Sequence, residues 1–152
     1  MKEIIPTINE IIKFGLFSNL RDTDKEIVLE KNLIKIYSLY FEINYEFDDK
    51  DYADYDKTEL KTIQNNIKSN FEKYGLYKTS IETVNEIDNL TECGIGDAID
   101  DLTDIIFDLS EIKWRIENNS ENDGLWFFKL IFKTHTQQHI LDLLNYMKQI
   151  NG

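Results

Sequence analysis

Residues 96–117 read "GDAIDDLTDIIFDLSEIKWRIE", and the spacing of two residue classes decides the fold. At 100° per residue, Ile95, Ile99, Leu102, Ile106, Leu109 and Ile116 gather on one side of a helix. Asp97, Asp101, Asp104, Asp108 and Glu111 gather opposite, separated by four, three, four and three positions. This spacing predicts a helix over Gly96–Glu117 whose apolar side enters a core. Its acids are expected to face water, because a buried, unpaired carboxylate is costly. Phe107 and Trp114 stand at the border of the two faces. In the alternative arrangement another helix covers the acids, which then face a cation.

Outward from this segment the chain reads as helix after helix. Proline occurs once, at Pro6, and glycine six times, so little interrupts long helices. A first helix runs from Thr7 through Ile8, Ile11, Ile12 and Leu16 to near "FSNLRD". Thr23 or Asp24 caps a second, with Ile27, Leu33/Ile34, Tyr37 and Tyr40/Phe41 expected on its inner side. Thr58 opens a third through Leu60, Ile63, Ile67 and Phe71, closed by Gly75. Residues 76–94 fit either a loop with a short helical turn or an irregular strand. A fifth helix follows "NNSENDG" and continues almost to the C-terminus. The expectation is a single all-α domain over residues 1–152, a bundle of about five helices.

Composition narrows the function. A chain of 152 residues, 41% hydrophobic and 12% aromatic, can bury a core and is too apolar for disorder. The opening "MKEIIPTINEII" carries acids and a proline, unlike a secretory leader, and no uncharged run reaches membrane-spanning length. Cys93 has no partner for an internal disulfide and is expected to be a buried or half-buried residue. These features predict a cytoplasmic protein without cofactor. The net charge of −12 disfavours direct nucleic-acid binding and favours basic proteins or cations.

Two constellations carry candidate chemistry. The first is the acidic face with its border aromatics, Asp97, Asp101, Asp104, Asp108, Phe107 and Trp114, together with the loop "EFDDKDYADYD". That loop holds Asp48, Asp49, Asp51, Tyr52, Asp54 and Tyr55. Acids steer a cationic partner and aromatics anchor it; plain solubility also accounts for such a loop. The second constellation is His135 and His139 in "KTHTQQH", four residues apart and so on one helix face, as in zinc-binding helices. Thr136 stands where the H-E-x-x-H motif needs its glutamate base, which argues against a metalloprotease. Within the stripe Phe128, Phe132, His135, His139, Leu143, Tyr146 and Ile150, the pair also fits hydrogen-bonded core histidines. No glycine-rich phosphate loop, nucleophile elbow or Cys–His pair is present.

Residues 97–150 resemble a bacterial domain-of-unknown-function family, number 5063. Its pattern is an acidic D-L-x-D-I-Y-x-D-L helix, then a helix with Trp, Phe and a His-Trp-Gly-x-His segment. Here the counterparts are Asp101, Leu102, Asp104, Ile105, Asp108 and Leu109, then Trp126, Phe132, His135 and His139. Ile106 replaces the Tyr, and Thr136 and Gln137 replace the Trp and Gly. The resemblance implies an α-helical fold with a paired Asp/His signature, and no established activity. In its small, acidic, Asn- and Ile-rich style the chain is also similar to immunity proteins of contact-dependent inhibition and other polymorphic toxin systems. That resemblance implies a partner, a basic toxin domain such as a nuclease or RNase, neutralised through the acidic-aromatic surface. A metal-dependent helical-bundle hydrolase using His135, His139 and the aspartates is the alternative, and a self-associating structural module a third.

Overall fold

The computed structural model describes residues 2–56, 60–80 and 93–152. The helices are α1 (Ile4–Leu16), α2 (Lys25–Glu42), α3 (Leu60–Asn70), α4 (Ala98–Asn118), α5 (Glu121–Ile131) and α6 (Gln137–Ile150). A π-helical turn, Phe132–Thr136, joins α5 to α6, so the two form one continuous fifth helix, as the sequence predicts. The protein is thus essentially all-α. The expected start of α3 at Thr58, the Leu60 side chain and segment 81–92 lie outside the described residues. No described helix is long and apolar enough to cross a membrane.

Helix α4 is the centre of the bundle, packing against α1, α3, α5 and α6. Ile99, Leu102, Ile105, Ile106, Leu109 and Ile112 are all buried along it, each contributing about 1.5–3 kcal/mol of transfer free energy. Its start is two residues later than expected. Asp97 is the N-cap, its carboxylate accepting from Ile99 N–H at 2.9 Å, which satisfies one of the helix's orphan donors. At the far end α4 turns tightly into α5, whose N-cap Ser120 accepts from Asp123 N–H at 3.0 Å. Glycine is required at this crossing: a Cβ on Gly124 would lie 2.3 Å from Ile116 Cγ1 and 2.8 Å from its backbone nitrogen.

Several details depart from the expected pattern. Residues 76–97 contain a two-stranded antiparallel sheet, β1 (Leu76–Ser80) and β2 (Cys93–Asp97), with Tyr77 opposite Gly96. Ile95 falls on β2 and is 77% exposed instead of joining the core side of α4. Cys93 is exposed, not packed. Helix α2 buries Leu29, Leu33, Ile36 and Leu39, while Ile27, Ile34 and Phe41, expected inward, are exposed. Apolar residues surround that helix on nearly every side, so its wheel offers more than one plausible inner stripe.

Candidate functional site

The acidic face of α4 is not an exposed ridge. Asp101 and Asp108 are each only 6% exposed, and Glu111 is buried as well. Helix α6 and the π turn reach Asp101 and Asp108, and in doing so bring the two histidines onto α4. His139 Nδ1 lies 2.9 Å from Asp101 Oδ1. His135 Nδ1 lies 2.9 Å from Asp108 Oδ2. The buried Thr136 hydroxyl donates to the same Asp108 oxygen at 2.7 Å, and the Tyr77 hydroxyl donates to Asp101 Oδ2 at 2.5 Å. Both buried carboxylates therefore have partners, which is what permits their burial.

The π turn sets this geometry. Phe132, Thr136, Ile140, Leu143 and Met147 form the buried line of the fifth helix. Of the expected stripe Phe128, Phe132, Leu143 and Tyr146 are buried, while both histidines and Ile150 lie outside the core. His135 sits at the edge of the core with its side chain 43% exposed, and His139 is half-buried. Single π turns are frequent at functional sites because the added residue re-aims side chains within a helix.

The ring tautomers follow from the carboxylates. An ionised carboxylate only accepts, so each Nδ1 carries its hydrogen and each Nε2 presents a lone pair. Those Nε2 atoms face each other at 3.3 Å. Asp104 Oδ2 approaches His139 Nε2 at 3.5 Å. The donor atoms of Asp104, His135 and His139 all lie within 4.8 Å of one another. Two facing ring nitrogens and a carboxylate at these distances are stabilised by positive charge between them. A second proton on one ring provides it, and so does a metal ion. The hydrogen bond that His139 donates to Asp101, aided by the charge of Asp104, raises the pKa of His139 against the opposing effect of burial. Burial raises that of Asp108, outweighing its bonds from His135 and Thr136.

The remaining predicted residues lie apart from this cluster. Asp97 is committed to its cap. Phe107 is half-buried against the core, and Trp114 is half-buried with its ring 5.7 Å from that of Tyr55. Asp48 is tied down, accepting from the Tyr52 hydroxyl at 2.5 Å and the Ser120 hydroxyl at 2.7 Å; these bonds, Tyr52's first, lower its pKa. Asp49, Asp51 and Asp54 remain exposed, with Tyr52 and Tyr55 half-buried.

The sequence reading missed Tyr77, which reaches the cluster from a hairpin that pairs residues far apart in the chain. It also missed the buried Asn70, whose amide donates to the carbonyls of Phe14 and Phe17 at the end of α1. A lone Tyr or Asn in a polar segment carries no sequence signal for either role. No family model matches the chain, nor does any curated protein or solved structure.

Proposed function

We propose that this chain is a metal-binding protein that holds one divalent ion of the zinc class on Asp104, His135 and His139. The observation that carries the reading is the pair of opposed Nε2 atoms, 3.3 Å apart, each on a ring whose Nδ1 is held by a buried carboxylate. Two donors about 2.0–2.1 Å from a tetrahedral ion stand about 3.3–3.4 Å apart, which is the spacing of these two nitrogens. Asp101 and Asp108 supply the carboxylate–histidine–metal arrangement that fixes the tautomer and raises ligand basicity. Two imidazoles favour zinc-class ions over magnesium or calcium.

Three protein ligands leave a tetrahedral ion one open position, the pattern of catalytic rather than closed structural sites. Such an ion supplies a water activated near neutral pH, and the half-exposed His135 keeps the site open to solvent. This agrees with a metal-dependent hydrolase. Dialysed protein titrated with zinc is expected to bind one equivalent, and cobalt(II) to give the visible bands of a four-coordinate site. Binding of neither ion at micromolar concentration refutes the reading.

A second reading, as an immunity protein docking a basic toxin domain, draws support from residues 44–56. Glu46 N–H bonded to the Asn122 carboxamide oxygen, and Asp48 bonded to Ser120, pin this acidic strap to the start of α5. Asp49, Asp51 and Asp54 are left outward and Phe47 is 69% exposed. Charge reversal of Asp49, Asp51 and Asp54 is expected to abolish low-salt co-purification with a basic partner. A partner that is retained by this variant overturns the assignment.

A further inference from the structure

One hydroxyl links the β-hairpin to the histidine centre. Tyr77 Oη donates to Asp101 Oδ2 at 2.5 Å, and Asp101 Oδ1 takes the Nδ1 hydrogen of His139 at 2.9 Å. Tyr77 belongs to β1, Asp101 to α4 and His139 to α6, so the relay joins three elements. Its reach depends on glycine in the opposite strand. A Cβ on Gly96 would fall 2.2 Å from Tyr77 Cζ and 2.5 Å from its Oη, so any side chain there would expel the ring. The ring is braced on its other side by Tyr146 of α6, with centroids 5.5 Å apart. The base of the hairpin is pinned as well, Ala98 N–H donating to the Gly75 carbonyl at 3.1 Å and Gly75 N–H to Tyr146 Oη at 3.1 Å.

This arrangement divides the two oxygens of Asp101 between two donors. With Oδ2 occupied by the phenol, only Oδ1 is left for His139, in the orientation that turns Nε2 toward His135 and Asp104. Burial, then the bond to Asp101, raises the pKa of Tyr77, so it stays a phenol and a donor. Without that donor the carboxylate can rotate, and the ring it holds loses a fixed direction. Tyr77 itself touches no ligating atom, acting only through Asp101.

We propose that Tyr77 is a positioning residue of the metal centre, and that docking of the β-hairpin and occupancy of the centre are coupled through it. This rests on the metal reading above. Because coupling free energy is reciprocal, an event that lifts the hairpin loosens the ion, and the ion in turn holds the hairpin down. Any partner that engages β1 or β2 thereby regulates the site.

Zinc titration of wild type, Tyr77→Phe and Leu76→Ala tests this. Leu76 is a hairpin residue 71% exposed and serves as the control. Tyr77→Phe is expected to weaken zinc binding about tenfold, the lower end for loss of an outer-shell partner, with an altered cobalt(II) spectrum. Leu76→Ala should match wild type in both. Amide exchange on wild type supplies a measurement independent of any variant's folding. Zinc should slow exchange in residues 76–80 and 93–97, because an ion coupled to hairpin docking suppresses hairpin opening.

If wild type binds no zinc, the metal reading itself falls. If wild type binds, and either Tyr77→Phe binds equally well or hairpin exchange ignores zinc, the coupling alone is overturned and the centre stands.

Discussion

Replacing Arg115 by alanine lowers the unfolding free energy by about 3–5 kcal/mol, as loss of one partner from a buried charge cluster does. Its guanidinium sits between two carboxylates. Nη2 and Nε reach Glu111 Oε1 at 2.9 and 3.0 Å, and Nη1 reaches Asp123 at 3.2 and 3.3 Å. The side chains are 16%, 6% and 9% exposed for Arg115, Glu111 and Asp123, so solvent screens little of this. The cation also lies 4.4 Å from the centroid of the Phe127 ring. Removing it leaves two like charges near each other at the tight α4–α5 turn. Urea unfolding measures the loss. Adding Glu111→Gln to the alanine variant should recover part of it, since one of the two neighbouring like charges goes. A loss below about 1 kcal/mol would mean that water reaches both acids, as in an exposed pair.

His139→Ala is expected to weaken zinc binding by roughly a hundredfold to several hundredfold. A four-ligand site yields about 10–16 kcal/mol, so one ligand carries about 2.5–4 kcal/mol. His139 is the central donor, since its Nε2 faces both His135 Nε2 and Asp104 Oδ2. A chromophoric chelator in competition gives the affinity, and thermal unfolding with and without zinc gives an independent value. Ligand at a hundredfold excess over its dissociation constant adds about 2.7 kcal/mol to wild-type stability, and the variant should show almost none of this. Undiminished zinc binding by His139→Ala would place the ion elsewhere in the chain.

How much of this was legible in the sequence varies by element. The central helix was, because its apolar residues recur at helical spacing over five turns, and a helix that long needs no neighbour to define its inner face. The Asp and His positions were legible as patterns, but their relation was not. Asp101 and Asp108 lie at the flank of the acidic face, between Asp104 and the core side. A wheel gives the angle about the helix's own axis and not which neighbour covers that flank. Packing of α6 decided it, and the Nδ1 bonds offset the cost of burying two carboxylates. The alternating pair β1 and β2 was obscured because Gly94 and Gly96 weaken any strand signal, and because Leu76 finds its partner at Asp97. The exposed apolar residues of α2 misled for the opposite reason, an excess of pattern.

The π turn at Phe132–Thr136 has a consequence for comparing this chain with others. A π turn accommodates one residue more than the α-helix it interrupts, and one residue is about 100° of rotation. A relative with a regular helix here would align with a single-residue gap inside 132–136. Everything downstream would keep its identity and lose its direction toward α4. A short deletion in the middle of an uninterrupted helix is normally discounted as an alignment error. In this lineage it would be the mark that separates chains able to aim both imidazoles at Asp104 from chains that only share the bundle.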